Sequence, residues 1–145
     1  TLSSSSAASD VYKRQNYRSI ELPKDLIFLS ATFKGKVKNS EEINNYMTEL
    51  NTIKNMAQPT KIKTSGSTFK NPISQTDKKV WELIKSSVSH EISYGDAVIS
   101  KKHANFFVNK KNAKAADMKS LINFVKKKVK DQTGIKLEME IVVVE

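Results

Sequence analysis

Met118, Leu121, Ile122, Val125 and Val129 recur at steps of three and four, and Gly134 follows them. That spacing predicts a long helix over about 114–132 with one apolar stripe, ended by the glycine. A one-sided helix must bury its stripe against another layer. Strand formers supply that layer on both sides of the helix in sequence: Asp96–Ser100 and Ala104–Asn109 before it, Leu137–Val144 after it. The run Ile141-Val142-Val143-Val144 reads as buried on both faces.

The rest of the chain alternates in the same way. Leu26–Phe33 reads as a strand between Pro23 and Gly35. Ile43, Tyr46, Met47, Leu50 and Ile53 predict a helix over 40–57, capped by Asn39 or Ser40 and stopped by Pro59. Glu41 and Glu42 suit the positive end of its dipole. Thr64–Ser67 and Asn71-Pro72 read as turns. A short helix follows over 77–87, with Thr76 or Asp77 as cap and Val80, Trp81, Ile84 and Val88 on its apolar face. These segments are too few for a doubly wound sheet. They predict an α+β fold, a small mixed sheet with flanking helices. Residues 1–15, TLSSSSAASDVYKRQ, are Ser/Ala-rich without period and read as a disordered or non-native tail.

Composition narrows the chemistry. The 145 residues suit about one domain, and the net charge of +10 favours anionic partners. Absence of cysteine excludes a thiolate metal site and a cysteine nucleophile. No apolar run is long enough to span a membrane, and the start lacks signal-peptide character, so the expected location is the cytoplasm. His90 and His103 lack the neighbours of a metal site, so none is expected. The lysines of Lys126–Lys130 fall opposite the apolar stripe and read as a solvated helix face rather than a nucleic-acid contact.

Two positions could carry chemistry. Ser67 lies in a small-residue turn beside Lys61, Lys63 and Lys70, where exposed N–H groups can hold an anion. A hydroxyl is a weak acid, so Ser67 could donate a proton only to a strongly basic partner such as a carbanion or enolate. By spacing alone a plain turn is the better account. Glu140 sits within an apolar strand, as an outward edge residue or a working acid. His103, Asn105 and Asn109 place polar groups at alternate positions of a strand that could face a polar ligand.

Several strings, in order, resemble the UDP-N-acetylenolpyruvoylglucosamine reductases, also called UDP-N-acetylmuramate dehydrogenases. They are Tyr17-Arg18-Ser19, Leu22–Phe33, Gln58-Pro59, Gly66-Ser67-Thr68-Phe69-Lys70-Asn71-Pro72, Gly95-Asp96-Ala97, Lys102–Asn109, Asn112-Ala113 and Leu137–Ile141. The resemblance covers about 16–145. It implies an oxidoreductase of peptidoglycan precursor synthesis, in which NADPH reduces FAD and the flavin passes a hydride to an enolpyruvyl UDP-N-acetylglucosamine. By the same matching, Ser67 protonates C2, Arg18 holds the developing enolate and carboxylate, and Glu140 is the acid at that centre. Asn71 and His103 contact substrate, and lysines near Ser67 meet the diphosphate.

The resemblance also implies an organisation. Residues 16–38 would end an FAD-binding domain, 39–61 would be a connecting helix, and 62–145 a substrate-binding domain. The family's glycine-rich flavin-binding sequence is absent, so the chain by itself is expected neither to hold FAD tightly nor to turn over. Ile20 stands where the family has a second serine, and Met139 where a proline is frequent. Val88 and Glu91 replace glycines, and Lys114 replaces a capping Ser/Thr, which leaves Asn112 as the expected cap. A nucleotide-sugar binding module without catalysis, and a small basic nucleic-acid-binding domain, are the rival readings.

Overall fold

The computed structural model of the chain describes residues 15–21, 27, 29–60 and 62–144. The chain divides into two units, Thr1–Asn39 and Ser40–Glu145.

In the first unit, β1 (Gln15–Asn16) and β2 (Ser19–Ile20) form an antiparallel hairpin in which Asn16 pairs with Ser19. Tyr17 and Arg18 make the turn, and Arg18 has a φ of 57°. Of the strand expected over Leu26–Phe33, Leu26 and Phe28 lie outside the described residues. The remainder is not a strand, and Leu29 and Phe33 are exposed. Apolar β-formers become a strand only beside a hydrogen-bonding neighbour, and β1 and β2 already pair with each other.

In the second unit, α1 (Ser40–Ala57) begins and ends where the periodicity predicts. Its apolar stripe is not buried: Ile43, Tyr46, Met47, Leu50 and Ile53 are all exposed. Then come β3 (Lys63–Ser67), α2 (Val80–Ser87), β4 (Ser93–Tyr94), β5 (Ala97–Ile99), β6 (Phe106–Asn109) and α3 (Ala115–Thr133). The sheet order is β3-β6-β5-β4. This is the expected α+β class with a small sheet and flanking helices. The sheet is antiparallel at every pairing rather than mixed. Short links require this for two of the pairings: β4 and β5 join through Gly95-Asp96, and β5 and β6 through 100–105, which leaves no length for a parallel crossover.

Thr64–Ser67 is a strand and not the expected turn. The register against β6 slips between Thr64 and Ser67, and Gly66 has a φ of +86°. That is a β-bulge whose extra residue takes a conformation that favours glycine. The last expected strand shrinks to one antiparallel bridge, Phe69 with Met139. Val142 and Val144 are almost fully exposed.

α3 packs on α2 and against β4 and β5. Leu121, Ile122, Val125 and Val129 meet Leu83, Ile84, Ile99 and Phe107 in one buried core. Phe69 joins that core edge-to-face on Phe107, with ring centroids 5.8 Å apart. The α3 start is set by two nearby side chains. Asn109 accepts the Ala113 N–H at 2.9 Å, and the Asp117 carboxylate accepts the Lys114 N–H at 2.8 Å. The expected cap, Asn112, instead donates its N–H to Asp96 at 3.0 Å.

Gly95 ties the β4–β5 turn to that cap. It has a φ of +54°, and a Cβ there would lie 2.8 Å from the Asp117 carboxylate oxygen. Gly95→Ala is therefore expected to cost about 2 kcal/mol, from left-handed strain and a disturbed cap. Urea denaturation measures it; a loss under about 0.5 kcal/mol would separate the turn from the cap.

Candidate functional site

The site grows from the segment after the β3 bulge. Ser67, half-buried, pairs with Phe106 at the end of the β3–β6 ladder. The next two residues are held from one side by Asn105. Its carbonyl accepts the Thr68 N–H at 2.8 Å. Its side-chain oxygen accepts the Phe69 N–H at 3.0 Å, and its side-chain nitrogen donates to the Phe69 carbonyl at 2.8 Å. From the other side, the Glu140 N–H donates to the Thr68 carbonyl and the Lys70 N–H to the Glu138 carbonyl, both at 2.9 Å.

This pairing brings the segments that carry two of the candidate residues side by side. Glu140, half-buried, lies opposite Thr68, the residue next to Ser67. The Lys70 ammonium is paired with the Glu138 carboxylate at 2.5 Å on the same two segments. Lys70 is thus already partnered, Lys63 is exposed, and Lys61 lies outside the described residues.

His103 lies at the start of the turn leading into β6. Its Nδ1 accepts the Asn105 N–H at 3.2 Å, so a neutral ring carries its proton on Nε2. Its ring sits 4.8 Å from Phe106 and 6.5 Å from Trp81, both edge-on. Burial lowers its pKa below the ordinary histidine value, against a smaller raising effect of a backbone hydrogen bond. With Trp81, Lys85, His90, Lys101 and Lys102 it lines a cleft of about 360 Å³. Lys102 also donates to the Asn55 carbonyl, which fastens the end of α1 beside this cleft.

Asn71 has a structural task. Its side-chain oxygen accepts the Val80 N–H at 3.0 Å, while Glu82 accepts the Lys79 N–H at 2.7 Å. Together they start α2 at Val80, three residues later than the 77 expected from Thr76 or Asp77 as cap. Arg18 belongs to the first unit, where its guanidinium lies 5.8 Å from the Tyr17 ring centroid.

The sequence reading missed two residues. Asn105 looked like a ligand-facing polar group but is buried as a clamp. Of the expected apolar face of α2, Val80, Ile84 and Val88 are buried with Leu83, whereas Trp81 is exposed and lines the cleft. The lysines of α3 are mainly solvent-facing, though Lys126, Lys127 and Lys130 line a groove with Lys136.

Each glycine has a local place in the backbone. Gly66 forms a bulge, Gly95 a hairpin turn, Gly134 the α3 end and Gly35 an isolated coil position. Among the described residues, no group of three His, Cys, Asp or Glu side chains could hold a metal ion, and no helix is long and apolar enough to cross a membrane.

Residues 58–144 match the C-terminal domain of UDP-N-acetylenolpyruvoylglucosamine reductase. The reductase of that name from Pelagibacter ubique is 66% identical over 125 residues, which are 86% of this chain and 41% of that protein. The one from Rickettsia bellii is 46% identical over 86% of this chain and 40% of that protein. The crystal structure of the Thermus caldophilus reductase superposes with a TM-score of 0.70 at 32% identity, covering 90% of this chain and 45% of that one. The chain thus spans about two fifths of the length of the curated relatives it matches.

Because the folded His103 binds its proton less readily than the unfolded chain, stability should rise with pH just below about 6.5. It should be largely complete above that value, and it should fall as pH drops toward the lowered folded pKa. His103→Gln should flatten this part of a stability-versus-pH curve. An unchanged slope would show that His103 does not cause it.

Proposed function

The chain belongs to the UDP-N-acetylenolpyruvoylglucosamine reductase family, and from that premise we propose that it carries the substrate side of such an enzyme. The reaction is the NADPH- and FAD-dependent reduction of the enolpyruvyl group of UDP-N-acetylglucosamine enolpyruvate, giving UDP-N-acetylmuramate for peptidoglycan in the cytoplasm. In this reading, 16–38 close a flavin-binding domain, 39–61 connect, and 62–145 bind substrate. A flavin, bound with the help of the portion of the relatives that this chain does not span, would supply the hydride that C3 receives.

What remains is a proton problem. Once C3 has gained a hydride, the electron pair of the double bond resides at C2, delocalised into the carboxylate. Ser67 donates its hydroxyl proton to C2, which completes the lactyl ether. A serine can do this because an enolate-like carbon is far more basic than an alkoxide held among donors and cations. Arg18 holds the carboxylate in which charge develops, a task for a planar fork of donors. Glu140 acts at the same centre as an acid, and Asn71 and His103 contact the substrate. The lysines near Ser67 and in the cleft offer charge for the diphosphate.

One observation carries the reading: the Glu140 N–H bonded to the Thr68 carbonyl at 2.9 Å. It sets the segment that carries the acid beside the one that follows the serine, although 72 positions separate Thr68 from Glu140 in the sequence.

Ser67→Ala in the full-length enzyme tests it. Flavin reduction by NADPH should survive, and reduction of the enolpyruvyl substrate should fall by roughly 10²–10⁴. If both half-reactions keep their full rates, Ser67 is not the proton donor.

A further inference from the structure

The position of Ser67 depends on the two residues that follow it, and those are fixed by one side chain. Asn105 is buried, and its amide meets both backbone groups of Phe69, the N–H at 3.0 Å and the carbonyl at 2.8 Å. Its own carbonyl takes the Thr68 N–H at 2.8 Å. A side-chain amide used in this way replaces a missing strand neighbour: it presents an acceptor and a donor at the spacing of a backbone unit. It continues the β3–β6 ladder just where the Gly66 bulge has displaced the register.

The main chain of the same residue also holds a ring that lines the cleft. Its N–H is bonded to His103 Nδ1 at 3.2 Å, which fixes the ring's tautomer and directs Nε2–H away from the backbone. One buried asparagine therefore sets two candidate groups at once, the serine through Phe69 and Thr68 and the histidine through its main chain.

We propose that Asn105 is a positioning residue for proton delivery: it touches no reacting atom, and it holds Ser67 at the distance and angle the transfer to C2 requires. The proposal rests on the assignment of Ser67 as proton donor. Aspartate in its place keeps an acceptor for the Phe69 N–H and loses the donor to the Phe69 carbonyl. Leucine loses both and leaves a buried peptide unit unpaired.

The test uses the full-length flavin enzyme with Asn105→Asp, Asn105→Leu and Ser67→Ala in parallel. The expected result for Asn105→Leu is a kcat for enolpyruvyl reduction lowered roughly 10- to 100-fold, with KM and the rate of flavin reduction by NADPH within about threefold of wild type. Asn105→Asp should lower kcat by a similar factor, because a carboxylate oxygen would then face the buried Phe69 carbonyl where the amide donated. The solvent deuterium isotope effect on kcat should rise in both, because proton transfer becomes slower. The Thr68 and Phe69 amides should exchange faster by hydrogen-exchange mass spectrometry, a reading independent of turnover.

Three outcomes would overturn the proposal. One is unchanged kcat in a folded Asn105→Asp together with Asn105→Leu. A second is an equal loss in both half-reactions, which makes the residue merely structural. The third is failure of both variants to fold, which makes it a core residue only. If Ser67→Ala itself leaves substrate reduction intact, the underlying assignment of the serine fails first, and the two failures are thereby told apart.

Discussion

The short antiparallel meeting of Thr68–Lys70 with Glu138–Glu140 is the constraint on which the rest of the site depends. Two backbone hydrogen bonds at 2.9 Å close it, and the Lys70–Glu138 ion pair lies across it. The ion pair adds little, since the Glu138 side chain is 72% exposed and water screens it. The backbone bonds matter more. Thr68 and Phe69 are buried, and an unpaired peptide group there would cost about 1–3 kcal/mol. Asn105 on one side and Glu138–Glu140 on the other leave both residues of that turn little freedom. The bulge at Gly66 then presents Ser67 at the sheet's end instead of burying it in the ladder.

Local signals made much of this fold legible. α1 and α3 follow from apolar periodicity, because each helix signals itself within a few turns. β5 and β6 follow from short apolar runs beside Gly95 and around Phe106-Phe107. The start of α2 did not, since Asn71 caps it from nine positions upstream and outweighs the local hydroxyls. Thr64–Ser67 looked like a turn because small polar residues and glycine are turn formers. Only the pairing with β6, forty residues away, makes it a bulged strand. The terminal valines looked buried by composition alone, but burial needs a partner surface that composition does not specify.

The site was legible in a different way. Ser67, Asn71, His103 and Glu140 emerged from ordered strings, not from spacing, and spacing alone favoured a plain turn. Nothing local could reveal that Asn105 clamps Phe69, because the contact spans 36 positions. The same holds for Trp81, whose helical phase is ambiguous until α3 takes the other face. Arg18 stands in a separate unit, held in a left-handed turn at a φ of 57°. That conformation costs a residue with a Cβ about 1–2 kcal/mol, and the two-residue turn between Asn16 and Ser19 imposes it.

The central claim is that Ser67 and Glu140 serve one proton-transfer event. Its most direct test is a double-mutant cycle on substrate reduction in the full-length enzyme, with Ser67→Ala, Glu140→Gln and the pair. Groups acting on one step are strongly non-additive. The double variant should therefore be scarcely slower than Ser67→Ala alone. Losses that multiply would show that the two residues act independently, and would contradict the account.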